Sequence, residues 1–288
     1  LVDITSHTYR GRIAIAAYKP AQIVINYLGY PGTSGCSAFD YTAVDALVAP
    51  TDLAPYSFTE KLIYLPHIYQ ANFMPPDVVP CLLSDRRLCR QRMITDRVYG
   101  DDSVAKILRD SSRTWLCSFN SNKKLEPLAF QTWMQLLVES PRAILVLLDT
   151  SAKPKKALLQ NALYHGVASH RLVFIKSLPW KNHLYRTSSC DMVLDTFTYG
   201  AHTTASDALW MWVPVLALEG YSSQRMPSRV ASAITKSLLQ KDAVVPVLQS
   251  TKQYQDMAVR LNKDISASYA LHDRIASAAL RQATFDYE

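Results

Sequence analysis

The chain has 288 residues, 49% of them hydrophobic and 19% charged, with a formal net charge of +7; this is the make-up of an ordinary globular protein with room for one large or two medium domains. No apolar run approaches the roughly 20 residues that span a bilayer, and no basic start followed by an apolar stretch marks a signal peptide. The positive charge suits a phosphorylated or polyanionic ligand. The basic residues are dispersed, however, without zinc-finger or RNP-like spacing, so a dedicated nucleic-acid binder is a poor fit. The five cysteines (Cys36, Cys81, Cys89, Cys117 and Cys190) are scattered and never in CxxC spacing. They read as buried or free thiols in a reducing compartment, cytosol or nucleus. The chain opens on Leu1 at the start of a periodic segment, which reads as part of a longer polypeptide.

In chain order, Gln22–Leu28, Thr42–Val48 and Lys61–Leu65 read as strands separated by turn-rich segments. After an irregular stretch from Met74 to Pro80, Asp85–Arg113 is charged and broken in pattern, a connector with some helix. A regular alternation then begins. Strand Thr114–Phe119 precedes helix Glu126–Glu139, whose Phe130, Trp133, Met134, Leu137 and Val138 share one face. There follow strand Ala143–Leu148, helix Lys155–Val167, strand Arg171–Ile175, helix Lys181–Ser188 and strand Met192–Leu194. Helix Thr203–Met211, strand Pro214–Leu218 and helix Ser228–Leu239 continue the pattern, and helices Gln253–Leu261 and Ala270–Leu280 close it. Continuous apolar strands alternating with helices mean parallel sheets covered on both faces, with right-handed connections. The expectation is an α/β chain of two Rossmann-like units facing a cleft, divided into residues 1–95 and 96–288. Ligands then belong outside the carboxyl ends of the strands, in the polar loops after Phe119, Ile175 and Asp195.

The most informative of these loops runs Asp195-Thr196-Phe197-Thr198-Tyr199-Gly200-Ala201-His202-Thr203-Thr204 into a helix. Its unpaired N–H groups and positive dipole end suit a diphosphate. Thr203 and Thr204 can add hydroxyl donors, His202 a ring donor, and Asp207 a carboxylate for ribose hydroxyls. Threonine at a helix start is also the ordinary N-cap, and spacing alone leaves both readings open.

The string LDTFTYGAHTTASDALWMWVP resembles the donor-site signature of the O-GlcNAc transferase family, glycosyltransferase family 41. Three further segments match in order. Leu28-Gly29-Tyr30-Pro31-Gly32-Thr33-Ser34-Gly35 with Asp40-Tyr41 and Asp45 is similar to the family's LGYPGTSG…DY…D. Glu60-Lys61-Leu62 with Leu65-Pro66-His67 is similar to its SEKL…LPH, and Asp3-Ile4-Thr5-Ser6-His7-Thr8 to a D-L-x-G-H-T element. Three of only eight glycines fall between Gly29 and Gly35, as a tight, ligand-facing backbone requires.

The resemblance implies a GT-B fold, with the N-terminal unit incomplete in this chain. It also implies inverting, metal-free transfer of N-acetylglucosamine from UDP-GlcNAc to Ser or Thr of proteins, with no cofactor beyond the donor substrate. The family's FN-x-x-x-K segment aligns Lys124 as the cation on the donor phosphates. Its P-K-x-x-H-x-x-R segment aligns His183 and Arg186 near the base. His202, Thr203, Thr204 and Asp207 complete the implied donor site, and Gly29, Tyr30, Pro31, Gly32 and Thr33 the cleft loop. Ser121 stands where the family has an amide, Trp180 where it has the lysine, and Trp212 where a small residue precedes Val213-Pro214. The Leu218–Arg229 loop also departs from the family pattern. The implied partners are a UDP-sugar, protein acceptors and upstream TPR repeats, with neither nucleic acid nor membrane. Two other readings stay open: a Spindly-type O-fucosyltransferase using GDP-fucose, disfavoured because His202 and Asp207 are retained, and a non-catalytic relative that binds nucleotide or protein only.

Overall fold

The structure is a computed structural model describing residues 1–279 except 73, 76, 82–89, 92–105, 111, 220–224 and 240–244. Most of the predicted connector 85–113 and the middle of the 218–229 loop lie outside the described residues.

Two parallel sheets form. The first has the order β1 (Val2–Asp3), β2 (Ile25–Asn26), β3 (Tyr41–Val44), β4 (Lys61–Tyr64), with short helices α1 (Ile13–Ala17) and α2 (Ala54–Ser57) in its crossovers. Its strands are shorter than the sequence suggests. Only β3 is buried along most of its length, whereas β1 and β4 expose residues. Buried Asp45 ends β3 and turns the chain by accepting from the N–H groups of Leu47 (2.8 Å), Val48 (2.9 Å) and Tyr69 (2.8 Å).

The second sheet comprises β5 (Thr114–Ser118), β6 (Ala143–Leu148), β7 (Leu172–Ile175), β8 (Met192–Leu194), β9 (Val215–Leu218) and β10 (Val247–Leu248). Its order is β10-β9-β8-β5-β6-β7, and every pair is parallel. Five of these strands fall where apolar runs predict them. The two-residue β10 is too short to announce itself.

Helix α3 (Pro127–Glu139) starts at its proline and buries Phe130, Trp133, Met134 and Leu137. Val138, expected on the same face, is 52% exposed, and Leu136 is buried instead. The stripe is therefore centred one residue position away from the predicted one. Helices α4 (Ala152–Tyr164), α5 (Trp180–Thr187), α6 (Thr203–Trp210) and α7 (Val230–Leu238) follow. Helix α8 (Thr251–Lys263) begins at Ser250, whose hydroxyl accepts from the Gln253 N–H at 3.2 Å, a side-chain cap. It buries Tyr254, Ala258 and Leu261. In α9 (Ile265–Ala279) the buried His272 reaches the carbonyls of Trp212 (2.7 Å) and Asp191 (2.9 Å).

The segment after β4 crosses to the second sheet's helices. Asn72 donates to the Ser206 hydroxyl on α6 at 2.8 Å, and Asp77 pairs with Lys181 on α5 at 2.6 Å. Tyr69, Val44 and Val48 join the core built on the second sheet.

The cysteines correct the free-thiol expectation. Cys117 on β5 is bonded to Cys190, two residues before β8, and Cys81 is also disulfide-bonded; Cys36 is free. The two strands are hydrogen-bonded neighbours, with Cys117 paired to Val193. Sheet pairing thus brings together two thiols 73 residues apart in sequence, and the argument for a reducing compartment falls with it.

Candidate functional site

In the second sheet β6 and β7 lie to one side of β5, and β8, β9 and β10 to the other. A crevice opens where such connections diverge, at the carboxyl ends of β5 and β8. Two loops border it: Phe119–Lys124 after β5 and Asp195–His202 after β8.

Asp195 organises both. It is fully buried, and its Oδ1 accepts from the N–H of Ala201 (2.6 Å), the N–H of Thr196 (2.9 Å) and the amide of Asn120 (3.1 Å). Burial raises its pKa to about 7, against the pull of these donors and of Lys124. A Cβ on Gly200 would lie 2.7 Å from Asp195 Oδ2, so only glycine lets the loop close over the carboxylate. Because the Asn120 amide nitrogen faces Asp195 and Thr196, its oxygen faces Thr204 and accepts that hydroxyl at 3.0 Å. The Thr204 proton is therefore spent inward. Of the two threonines expected to donate, only Thr203 presents an exposed side chain.

Lys124 lies across the crevice from α6. Its Nζ donates to the Gly200 carbonyl at 2.8 Å and sits 4.4 Å from the centroid of the Tyr199 ring. Burial lowers its pKa, and the Asp195 charge opposes that shift. Neighbouring Lys123 is exposed. Tyr199 stacks on His202 with centroids 5.1 Å apart. His202 occupies the N-cap of α6 without a side-chain capping bond, and its Nε2 is 3.5 Å from the Pro227 carbonyl. Burial, with Lys124 nearby, depresses its pKa to about 3, so the ring is neutral. A neutral ring, an ammonium and an uncapped helix start converge on one point, an arrangement that receives an anion.

A second cluster lies beside it. The Arg186 guanidinium is buried against the Phe119 ring (4.8 Å), donates to the Lys176 carbonyl at 2.6 Å and contacts His183 Nδ1 at 2.8 Å. A guanidinium only donates, so Nδ1 accepts and the His183 proton sits on Nε2, 3.9 Å from Asp207 Oδ2. Burial, reinforced by Arg186, lowers His183 to about 4. Burial raises Asp207 to about 6, although the Trp180 indole N–H donates to its Oδ1 at 3.2 Å. Arg186 thus faces inward and orients His183. Trp180, at the aligned lysine position, occupies one oxygen of the carboxylate expected to hold ribose.

The Gly29–Thr33 loop follows β2 at the carboxyl edge of the first sheet. Glu60 holds its far end: Thr33 donates to Oε2 at 2.8 Å and the Ser34 N–H to Oε1 at 2.6 Å. Burial pushes the Glu60 pKa up, but the Ser34 and Thr33 donors outweigh this and leave it lowered. Pro31 is buried, and the Asn26 amide donates to the Gly32 carbonyl at 3.2 Å. The Tyr199 phenol is raised first by burial and then by Tyr30.

Asn120, Asp195, Tyr199 and Glu60 escape a sequence reading as site residues. The available signal was a polar residue directly after an apolar strand, as Asn120 follows Trp115–Phe119 and Asp195 follows Met192–Leu194.

The sequence profile of glycosyl transferase family 41 matches residues 1–74 and 107–288. SEC of Arabidopsis thaliana, a probable UDP-N-acetylglucosamine–peptide N-acetylglucosaminyltransferase, is 28% identical over 286 residues, covering 99% of this chain and 27% of that protein. SPINDLY of Hordeum vulgare, described by the same activity, is 26% identical over 298 residues, covering 100% of this chain and 28% of its own length. The chain therefore spans little more than a quarter of these curated relatives. A lysine-to-methionine variant of the Thermobaculum terrenum O-GlcNAc transferase superposes with a TM-score of 0.80 at 25% identity, over 99% of this chain and 50% of that one. The Anabaena HepE protein, solved with UDP and glucose, shares the fold at TM-score 0.58 and 12% identity, over 94% of this chain and 71% of that one. Two parallel α/β sheets in a GT-B arrangement, loops at their carboxyl edges and a profile matched over both sheets lead to one assignment: the chain belongs to glycosyltransferase family 41.

Proposed function

We propose that this chain carries the donor site of a protein O-GlcNAc transferase. UDP-GlcNAc is the donor, a Ser or Thr hydroxyl of a protein the acceptor, and the transfer is a single inverting displacement without metal or cofactor. The observation that carries this reading is the placement of the Lys124 ammonium beside Tyr199, His202 and the start of α6. Negative charge grows on the leaving diphosphate as the glycosidic bond breaks, and a fixed cation with helix N–H groups stabilises it at that moment. Lys124, His202 and Thr203 serve the diphosphate; Thr204 shapes the loop through Asn120; His183 and Asp207 serve the nucleoside, with Arg186 orienting His183. The Gly29–Thr33 loop meets the sugar side, and residues 1–95 and 96–288 act as the two lobes. Protein acceptors and upstream TPR repeats belong to the same proposal.

One observation favours a second reading, a non-catalytic relative that binds nucleotide or protein partners only: the Trp180 indole occupies Asp207 Oδ1, an oxygen that a transferred donor would need. Calorimetric titration of the full-length protein with UDP and GDP, followed by a sugar-transfer assay, separates the two. UDP binding with transfer supports the first reading, and UDP binding without transfer the second. GDP preference removes UDP-GlcNAc as the donor.

A further inference from the structure

An ammonium taken out of water loses the hydration that stabilises its charge, and the protein must supply a replacement. For Lys124 one part of the replacement is the hydrogen bond from Nζ to the Gly200 carbonyl at 2.8 Å. Among the described residues no carboxylate forms an ion pair with it. Burial lowers its pKa, and Asp195 opposes that shift as a charge without pairing, its Oδ1 being taken by Asn120, Thr196 and Ala201.

The other part is aromatic. Nζ sits 4.4 Å from the centroid of the Tyr199 ring, and the face of such a ring carries the negative end of its quadrupole. The same ring stacks on His202, with centroids 5.1 Å apart and planes 22° from parallel. Tyr199 is thus the side chain that the ammonium and the N-cap imidazole of α6 have in common. Its backbone is held too. The Tyr199 carbonyl accepts the Thr196 hydroxyl at 2.7 Å, and the next residue, Gly200, is the Lys124 acceptor. The phenol end interacts with Tyr30 and Tyr69, so the ring face rather than the hydroxyl serves Lys124 and His202. The distinction matters for charge. A carboxylate in this place would neutralise the ammonium, whereas a neutral ring and a carbonyl hold it and leave its charge to a ligand.

We propose that Tyr199 is a positioning residue that holds the Lys124 ammonium at the start of α6 with its charge undiminished, an inference that rests on the transferase reading above. Lys124 meets the leaving diphosphate, and Tyr199 acts through Lys124. The requirement is for an aromatic face, so phenylalanine serves in its place and an aliphatic side chain does not.

The test measures turnover and UDP affinity of full-length protein carrying Tyr199→Phe, Tyr199→Leu, Lys124→Met, or Tyr199→Leu together with Lys124→Met. Tyr199→Leu is expected to lower turnover about tenfold or more while UDP affinity falls by less than about threefold. Tyr199→Phe is expected to recover most of that turnover. In the Lys124→Met background Tyr199→Leu should cost nothing further, because the group it acts through is gone. Tyr199→Met takes the place of the leucine variant if that protein does not fold. Turnover of the aliphatic variant near wild type, equal losses with phenylalanine and leucine, or losses that add in the double variant overturn the proposal alone. Wild-type protein that fails to bind UDP, or binds it without transferring sugar, overturns the transferase reading and the proposal with it.

Discussion

At the residue scale, two adjacent lysines separate the site from the surface. Lys124 is partly buried against Tyr199 and Gly200, and Lys123 is exposed. Lys124→Met is expected to lower turnover by about two orders of magnitude or more, with UDP affinity falling only modestly, because the cation matters most when charge develops. Lys123→Met is expected to change neither in steady-state kinetics and calorimetry. A reversed outcome would move the aligned register by one residue.

His202 gives a prediction about pH. Its folded pKa is about 3 against an ordinary 6.5, because burial penalises the imidazolium. Below pH 6.5 the unfolded chain therefore takes up a proton that the folded chain refuses. The stability tied to a neutral ring is complete above pH 6.5 and is lost as pH falls toward 3. Relative to the non-titrating His202→Gln, wild type should lose about 1.4 kcal/mol per pH unit between pH 6 and 4. Urea unfolding of both proteins across that range measures it, and a constant difference would show the ring to be accessible to protons.

At the element scale, helices α4 and α6 end alike on unlike residues. At α4, Gly166 (φ +78°) donates to the Leu163 carbonyl and Val167 to Ala162; at α6, Trp212 (φ +60°) donates to Leu209 and Val213 to Ala208. Both are the paired bonds of a left-handed helix stop, where glycine carries no Cβ penalty. This accounts for the small residue in the family pattern at position 212. It also shows that tryptophan keeps the backbone of that stop while packing its ring on the core. Trp212→Gly is expected to be more stable than Trp212→Ala by about 1 kcal/mol in urea unfolding, the reverse of the usual order. Alanine proving better would mean that position 212 leaves the left-handed region once the ring is gone.

At the scale of the whole molecule, the contacts that dock the segment after β4 on the second sheet's helices differ in weight. Asn72 and Ser206 meet in a half-buried setting, whereas Asp77 and Lys181 pair in the open. Asn72→Ala should cost about 1 kcal/mol of stability and weaken UDP binding by less than about tenfold through loss of alignment. Asp77→Asn should change neither, since water and salt screen an exposed pair. Denaturation and calorimetry on the two variants would reveal a reversed ranking.

The second sheet was legible in the sequence because each buried parallel strand must be apolar throughout; Ala143–Leu148 and Met192–Leu194 carry their boundaries in composition alone. The first sheet was less legible, since its short, half-exposed strands Val2–Asp3 and Ile25–Asn26 leave weak apolar signals. The motifs carried the family in the sequence itself, because several segments match its pattern in order along the chain. Only the tertiary structure decided what those residues do. It spends the Thr204 proton on Asn120, turns Arg186 inward to hold His183, seats Trp180 on Asp207 and joins Cys117 to Cys190. Apart from the Arg186–His183 contact, which spans one turn of α5, each of these outcomes depends on which strands become neighbours. Local periodicity cannot encode a hydrogen bond or a disulfide between residues some 75 positions apart, whereas a strand order that reverses between β5 and β8 places them in contact.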